Sequence, residues 1–192
     1  IRGCDFRFHP SSGEFQAISG AEQFGNTFDD WNNRFICHNS RPVVHVVLPA
    51  RYLARNPYLL VPSVLHRAWE NDHVYRSSEI EAWRLARTNQ RLSEKPTWSE
   101  PSIAHDVFTA CSGVSIYRGT AYAQQYRGNL FVGEVQSNVI HRRILQPEGV
   151  TFKALRVEKD TEFVRSKDNW FRPVNFINSP DGTLHIIDMY RA

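Results

Sequence analysis

The residues of this chain that could do chemistry gather where apolar runs begin and end. In "EQFGNTFDDWNNRFICHN", residues 22–39, Asn26 and the adjacent carboxylates of Asp29 and Asp30 stand just ahead of the apolar run Arg34-Phe35-Ile36-Cys37. Alternation along an extended chain sends one aspartate to each side. Such a carboxylate can serve as a base or as an oxygen ligand for a hard cation such as calcium. The same Asp-Asp-Trp-Asn-Asn string is also ordinary turn chemistry, in which short polar side chains cap backbone amides. Arg172, between Phe171 and Pro173, carries a planar five-donor fork suited to carboxylates, or equally a tie to a neighbouring acid. Asp188, Tyr190 and Arg191 close "TLHIIDMYR"; Asp188 could accept a hydroxyl proton, orient Arg172 or cap a turn. His105, in "SIAHDVFTACSG", precedes another apolar run and is the candidate general base, because a neutral imidazole works near pH 7. Its plainer reading is a loop histidine.

Other chemistries are disfavoured. The three cysteines lie far apart, and neither CxxC nor CxxCH occurs, so a disulfide framework or covalent haem site is not expected here. None of the eight histidines forms an HExxH motif, and His141 in "NVIHRRIL" belongs to a middle strand away from any central channel. The net charge of +3 is spread along the chain, whereas phosphate binding wants a clustered basic patch; no nucleic-acid partner is expected. No run approaches the roughly 20 apolar residues of a membrane span. The chain opens at Ile1 without a basic-then-apolar leader and stops after "DMYRA", and so reads as a fragment.

Short alternating strands must position these residues. "DFRFHP" and "GEFQAIS" make a hairpin through Pro10-Ser11-Ser12-Gly13, and "NRFICHN" with "PVVHVVLP" makes a second. Residues 22–33 then read as a turn feeding an inner strand that starts at Arg34. "GVSIYRG", "GNLFVGEV", "NVIHRRIL" and "VTFKALRVE" are four successive strands, and "PVNFIN" turns through Ser179-Pro180-Asp181-Gly182 into "TLHIIDMY". Residues 51–110 carry mixed signals and read as an insertion of loop and helix. Within it, "SEIEAWRLARTNQRL" has helical spacing through Ile80, Trp83, Leu85 and Leu92, although an outer strand near Trp83 fits as well.

"NNRFICHN", "RGNLFVGEV" and "DGTLHIIDMY" share one plan: a turn, an apolar strand and a polar end. Phe35, Phe131 and His185 hold equivalent places, at separations of 96 and 54 residues. A four-stranded propeller blade needs about 40–50 residues. The expectation is an all-β partial propeller, one domain over 1–192, with about two full blades and two half blades. Inner strands would surround a central channel where polar ends meet.

"GNTFDDWNNRF", "GVSIYRG…YRGNLFVGEVQSNVIHR" and "WFRPVNFINSPDGTLHIIDMYRA" together resemble the large membrane-bound dehydrogenase-type proteins, also called haem-binding CxxCH proteins, of planctomycetes and verrucomicrobia. In that family the segment is similar to the propeller of soluble sugar dehydrogenases, which use pyrroloquinoline quinone with calcium. The resemblance implies an exported, periplasmic oxidoreductase that passes electrons from a sugar or alcohol to haem c on a separate cytochrome module. It points to Arg172; with the residues read above, Arg172, Asn26 and Arg191 are the cofactor-binding candidates, Asp29 the metal candidate, and His105 and Asp188 the catalytic candidates. "RPV…PDGTL…D" matches the sugar dehydrogenase pattern at Arg172 and Asp188. The Arg-Asn-Pro-x-Gly element that holds the quinone is replaced by Ala21-Glu22-Gln23-Phe24-Gly25, where only the glycine survives. The alternative is a non-catalytic propeller that binds carbohydrate or a partner protein.

Overall fold

β-Branched and aromatic residues set the strands, while Gly, Pro, Asn and Asp set the turns between them. The computed structural model describes residues 3–70, 73–94 and 106–191. Strands β1 (Asp5–Phe8) and β2 (Phe15–Ile18) form the first hairpin. Strands β3 (Phe24–Phe28), β4 (Arg34–His38), β5 (Arg41–Val46) and β6 (Leu65–Arg67) form an antiparallel sheet in chain order. A second such sheet comprises β7 (Cys111–Ile116), β8 (Leu130–Glu134), β9 (Val139–Glu148) and β10 (Thr151–Arg156), with β11 (Val164–Arg165) on the start of β9. Strands β12 (Pro173–Asn178) and β13 (Leu184–Asp188) pair alone. Helices are α1 (Ala50–Leu53) and α2 (Ala82–Glu94). Strands hold 40% of the chain against 11% for helices, so the architecture is mainly β; among the described residues no sheet closes on itself.

Apolar burial stacks the sheets face to face. Phe35, Val43, Phe108, Val114, Val132 and Ala154 fill the space between the four-stranded sheet and the five-stranded one. Tyr117, Phe131, Ile140, Phe176 and Leu184 fill the space between the second sheet and β12–β13. Strand pleating explains how β9 serves both layers: Val139 enters the first cluster and Ile140 the second.

This stacking brings the first strand of each sheet, β3, β7 and β12, side by side. The Ile116 amide donates to Thr27 Oγ1 at 3.1 Å, and Asn178 Nδ2 donates to the Ile116 carbonyl at 2.9 Å. Each of the three strands breaks register at one place, between Phe24 and Asn26, Ser112 and Val114, and Pro173 and Asn175. Glycine makes two of these bulges possible. Gly25 and Gly113 have φ of +63° and +66°, and a Cβ on Gly113 would lie 2.6 Å from both Asn175 Cα and the Val174 oxygen. Gly113→Ala should therefore cost about 2–4 kcal/mol through backbone strain and steric overlap. Urea unfolding checks this, and a loss under about 0.5 kcal/mol would disprove the close approach.

Three expectations need correction. Residues 24–28 are themselves the first strand of their sheet, and Arg34–His38 is the second; the Gly25 bulge interrupts the alternation that would reveal β3. The stretch 51–110 is not wholly an insertion, because Leu65–Arg67 returns to pair with β5. Counted from the bulges, the place shared by Phe35 and Phe131 falls on Ile186 rather than His185. In the ambiguous segment the helix wins over the strand, yet its apolar residues Trp83, Leu85 and Leu92 are exposed.

Candidate functional site

Beside the first strands β3 and β12 lies an open cleft of about 490 Å³ whose lining includes Asp5, Glu22, Gln23, Asn26, Arg34 and Asn175. The bulges help make it polar. Asn26 and Asn175 directly follow the extra residue of β3 and β12. Arg34, on β4, fixes one wall: its Nε donates to Asn26 Oδ1 at 2.7 Å, its Nη1 to the Ser19 carbonyl at 2.5 Å, and its Nη2 pairs with Asp5. Asp5 also accepts from the Ala21 amide at 3.0 Å. Asn175 Oδ1 accepts from the Phe176 amide at 2.9 Å. Among the described residues, the Nδ2 groups of Asn26 and Asn175 and the side-chain amide of Gln23 make no hydrogen bond. Their donor capacity is available at the cleft.

Glu22 is the buried acid of this wall. Its side chain is 3% exposed, with Arg41 Nη2 2.9 Å from Oε2. Burial raises its pKa, Arg41 opposes that, and Asp5 adds to the rise.

The residues singled out from sequence take different places. Asn26 lines the cleft. Asp29 caps the β3–β4 turn, accepting from the amides of Trp31 and Asn33 at 2.9 and 2.8 Å and from Asn33 Nδ2 at 2.7 Å. The neighbouring Asp30 instead receives Arg118 and Arg127 from the β7–β8 connection, at 2.6 and 3.1 Å, and these bonds lower its pKa. Arg172, Asp188 and Arg191 do meet, but as a structural clamp around the buried Arg172, with Asp188 and Arg191 exposed. Arg172 is 2% exposed; it donates to the Val135 carbonyl at 3.1 Å, the Arg191 carbonyl at 3.2 Å and Glu81 Oε1 at 3.1 Å. Asp188 Oδ1 accepts from the amides of Arg172 and Tyr190 at 2.7 and 2.9 Å. Arg191 contributes its backbone, not its guanidinium, to that clamp. His105 lies outside the described residues.

A family model described as a domain of unknown function matches residues 1–192. The chain belongs to the DUF7133 family. Neither curated proteins nor solved structures give a match. In this DUF7133 chain the sequence reading missed Glu22, Gln23, Arg34 and Asn175. Asn175 had a signal: glycine inside the strands "FGNTF" and "SGVSI" marks bulges, and their counterpart in "PVNFIN" sets that asparagine beside Asn26 in the cleft. Glu22 had no comparable mark.

Other buried ionisable groups of the DUF7133 chain lie in both large sheets: His45 on β5, whose Nδ1 is 2.9 Å from Thr151 Oγ1 and which burial takes down to about 4, and Glu134 and His141 in the second sheet. Glu134, fully buried, accepts the Ala110 amide at 3.0 and 3.1 Å through its two oxygens and is also bonded by the amides of Thr109 and Gln136. Burial nonetheless pushes its pKa up to about 8. His141 lies on β9, the third strand, as expected. Its Nδ1 is 2.5 Å from Glu162 Oε2, and Glu162 also holds Arg156 and the Tyr75 amide. Burial takes His141 down to about 4, outweighing the Glu162 partner.

Proposed function

We propose that the chain is part of a β-propeller and that the cleft beside its inner strands binds a small polyhydroxylated ligand, in the manner of a carbohydrate-binding module. The observation that carries this reading is the set of amide donors of Gln23, Asn26 and Asn175 with no hydrogen bond of their own, beside the oxygens of Asp5 and Glu22. Vicinal hydroxyls donate and accept at short spacing, so mixed amides and carboxylates are their natural complement. The side-by-side packing of β3, β7 and β12, each the first strand of its sheet, supports the propeller assignment.

A quinone tricarboxylate, the cofactor that the sequence resemblance implies, does not fit these residues. The Arg172 guanidinium is buried and occupied by one carboxylate and two carbonyls, and Arg34 is held by Asp5, Asn26 and Ser19. Both oxygens of Asp29 are used by its own turn.

One observation favours a second reading, oxidation of a sugar or alcohol in an exported, cytochrome-linked assembly. Glu22 is a carboxylate whose proton affinity is raised by burial, placed at the cleft wall where it could take a hydroxyl proton while the hydride passes to a two-electron acceptor supplied by the rest of that assembly. It would do the work first assigned to His105.

Calorimetric titration of the chain with mono- and oligosaccharides tests the first reading. Binding is expected, weakened roughly 5- to 50-fold in Asn26→Ala and in Asn175→Ala with thermal stability little changed, since each removes about one or two hydrogen bonds. A carbohydrate panel that gives no heat, and no shift of the Asn26, Asn175 or Gln23 side-chain amide signals, would reject it. Dye reduction by a bound sugar, lost in Glu22→Gln, would select the second.

A further inference from the structure

From Trp31 to Trp69 the sequence contains no acidic residue, yet it carries Arg34, Arg41, Arg51, Arg55 and Arg67. At the centre of this stretch is the long connection between β5 and β6. Its neck is closed where the Val47 amide donates to the Val64 carbonyl at 2.9 Å, and β5 is paired on both edges, by β4 and β6. Beyond the neck, every residue from 54 to 63 is exposed. The tip is nevertheless apolar: Tyr58 and Leu60 are 90% and 92% exposed, and Leu59 and Val61 follow at 53% and 39%.

Local geometry holds this tip away from the sheets. The Ala54 amide donates to the Ala50 carbonyl at 3.0 Å and the Asn56 amide to the Leu53 carbonyl at 3.1 Å. A turn follows over Asn56-Pro57-Tyr58-Leu59. There the Leu59 amide donates to the Asn56 carbonyl at 3.1 Å and the Tyr58 amide to Asn56 Oδ1 at 3.1 Å. Pro57 stands at the second position of that turn, where its fixed φ is pre-organised. These bonds present Tyr58 to Val61 to solvent instead of folding them onto the apolar cluster of Ile36, Val44, Val46 and Trp69. Apolar side chains held in water by an ordered turn mark an interaction surface.

The charge beside the tip says what kind. The guanidiniums of Arg51 and Arg55 lie 4.9 and 5.3 Å from the centre of the Tyr52 ring. Both arginines are exposed, and among the described residues neither pairs with an acid. A convex aliphatic tip with tyrosines and unneutralised arginines at its base suits the boundary of an anionic bilayer. Aliphatic groups enter the acyl edge, tyrosine rings sit at headgroup depth, and arginines meet lipid phosphates. A rigid protein would have to offer an acid-rimmed apolar hollow of matching shape. Among the described residues no helix is long and apolar enough to cross a membrane, so the contact is a peripheral one.

We propose that the β5–β6 connection docks the protein on an anionic lipid surface, inserting Tyr58, Leu59, Leu60 and Val61 and placing Arg51 and Arg55 on lipid phosphates. The loop is a site separate from the cleft: none of these six residues lines it.

Flotation of the full chain with phosphatidylcholine vesicles, with and without about 30% phosphatidylglycerol, tests this. Binding to the anionic vesicles is expected, roughly tenfold or more above that to the neutral ones and falling as salt rises. Tyr58→Ser combined with Leu60→Ser keeps the charge and should weaken binding roughly tenfold or more, because the inserted surface is lost. Arg51→Gln combined with Arg55→Gln should weaken it about tenfold on anionic vesicles. All four positions are exposed, so circular dichroism should stay native. Absence of flotation with the anionic vesicles would overturn the proposal and turn attention to a protein partner for the tip. Flotation that the serine pair leaves unchanged would also overturn it, since adsorption by charge alone needs no insertion.

Discussion

Arg172→Ala should lose about 3–5 kcal/mol of folding stability, the cost of removing one partner from a buried ion pair. The side chain holds three elements at once: Glu81 before α2, the Val135 carbonyl after β8 and the Arg191 carbonyl after β13. Truncation strands these acceptors and leaves Glu81 with Arg84 as its remaining cation. Lys cannot replace the fork, since its single ammonium does not reach three separated acceptors in one plane. The check is chemical denaturation of the wild type, Arg172→Ala and Arg172→Lys. Wild-type stability in the alanine variant, with loss of carbohydrate binding alone, would restore Arg172 as a ligand-contacting residue.

Stability should also peak near pH 6.5 and fall by about 2 kcal/mol between pH 6.5 and 8. Glu134 is the cause of the alkaline limb. Its carboxyl, held at about 8 by burial against an ordinary 4.5, keeps its proton in the folded chain and loses it in the unfolded chain across this window. Unfolding then releases a proton, so stability drops as pH rises, by about 1.36 kcal/mol per pH unit. His141 and His45 act in the opposite sense. Burial holds both near 4 against 6.5, so below pH 6.5 the unfolded chain takes up protons that the folded chain refuses. Their contribution is complete above pH 6.5 and is lost as pH falls towards 4. Glu162, lowered overall because His141 and its other donors outweigh the raising effect of burial, adds to the acid-side loss. Glu134→Gln should be less stable overall but should flatten the limb from pH 6.5 to 8. A limb that survives the substitution would place its origin elsewhere.

Most strands were legible because their side chains alternate and their turns carry Gly, Pro, Asn or Asp. "DFRF", "SIYRG", "NLFVGE" and "NFINSPDGTLHI" declare themselves in this way. Strand β3 did not, since the bulge at Gly25 shifts half of it out of phase, and β6 is only three residues long. The site was harder to read for a different reason. Arg172 and Asp188 have residue types that suit catalysis, but only three-dimensional packing shows that the Arg172 donors go to Glu81 and two carbonyls and that Asp188 Oδ1 accepts two backbone amides. Glu22 lies in a segment without pattern, and its significance comes from burial, which has no local signature.

The chain after β6 does not return to solvent at once. Ala68 and Trp69 run on beside β10, where the Ala154 amide donates to the Ala68 carbonyl at 2.5 Å and Trp69 forms a parallel bridge with Ala154. One continuous stretch of backbone thus belongs to the rims of both large sheets. Neither rim can open without breaking pairing in the other, so the two sheets form a single cooperative unit rather than independently melting repeats, and the weakly tethered β1–β2 hairpin is left as the part of the fold that opens first.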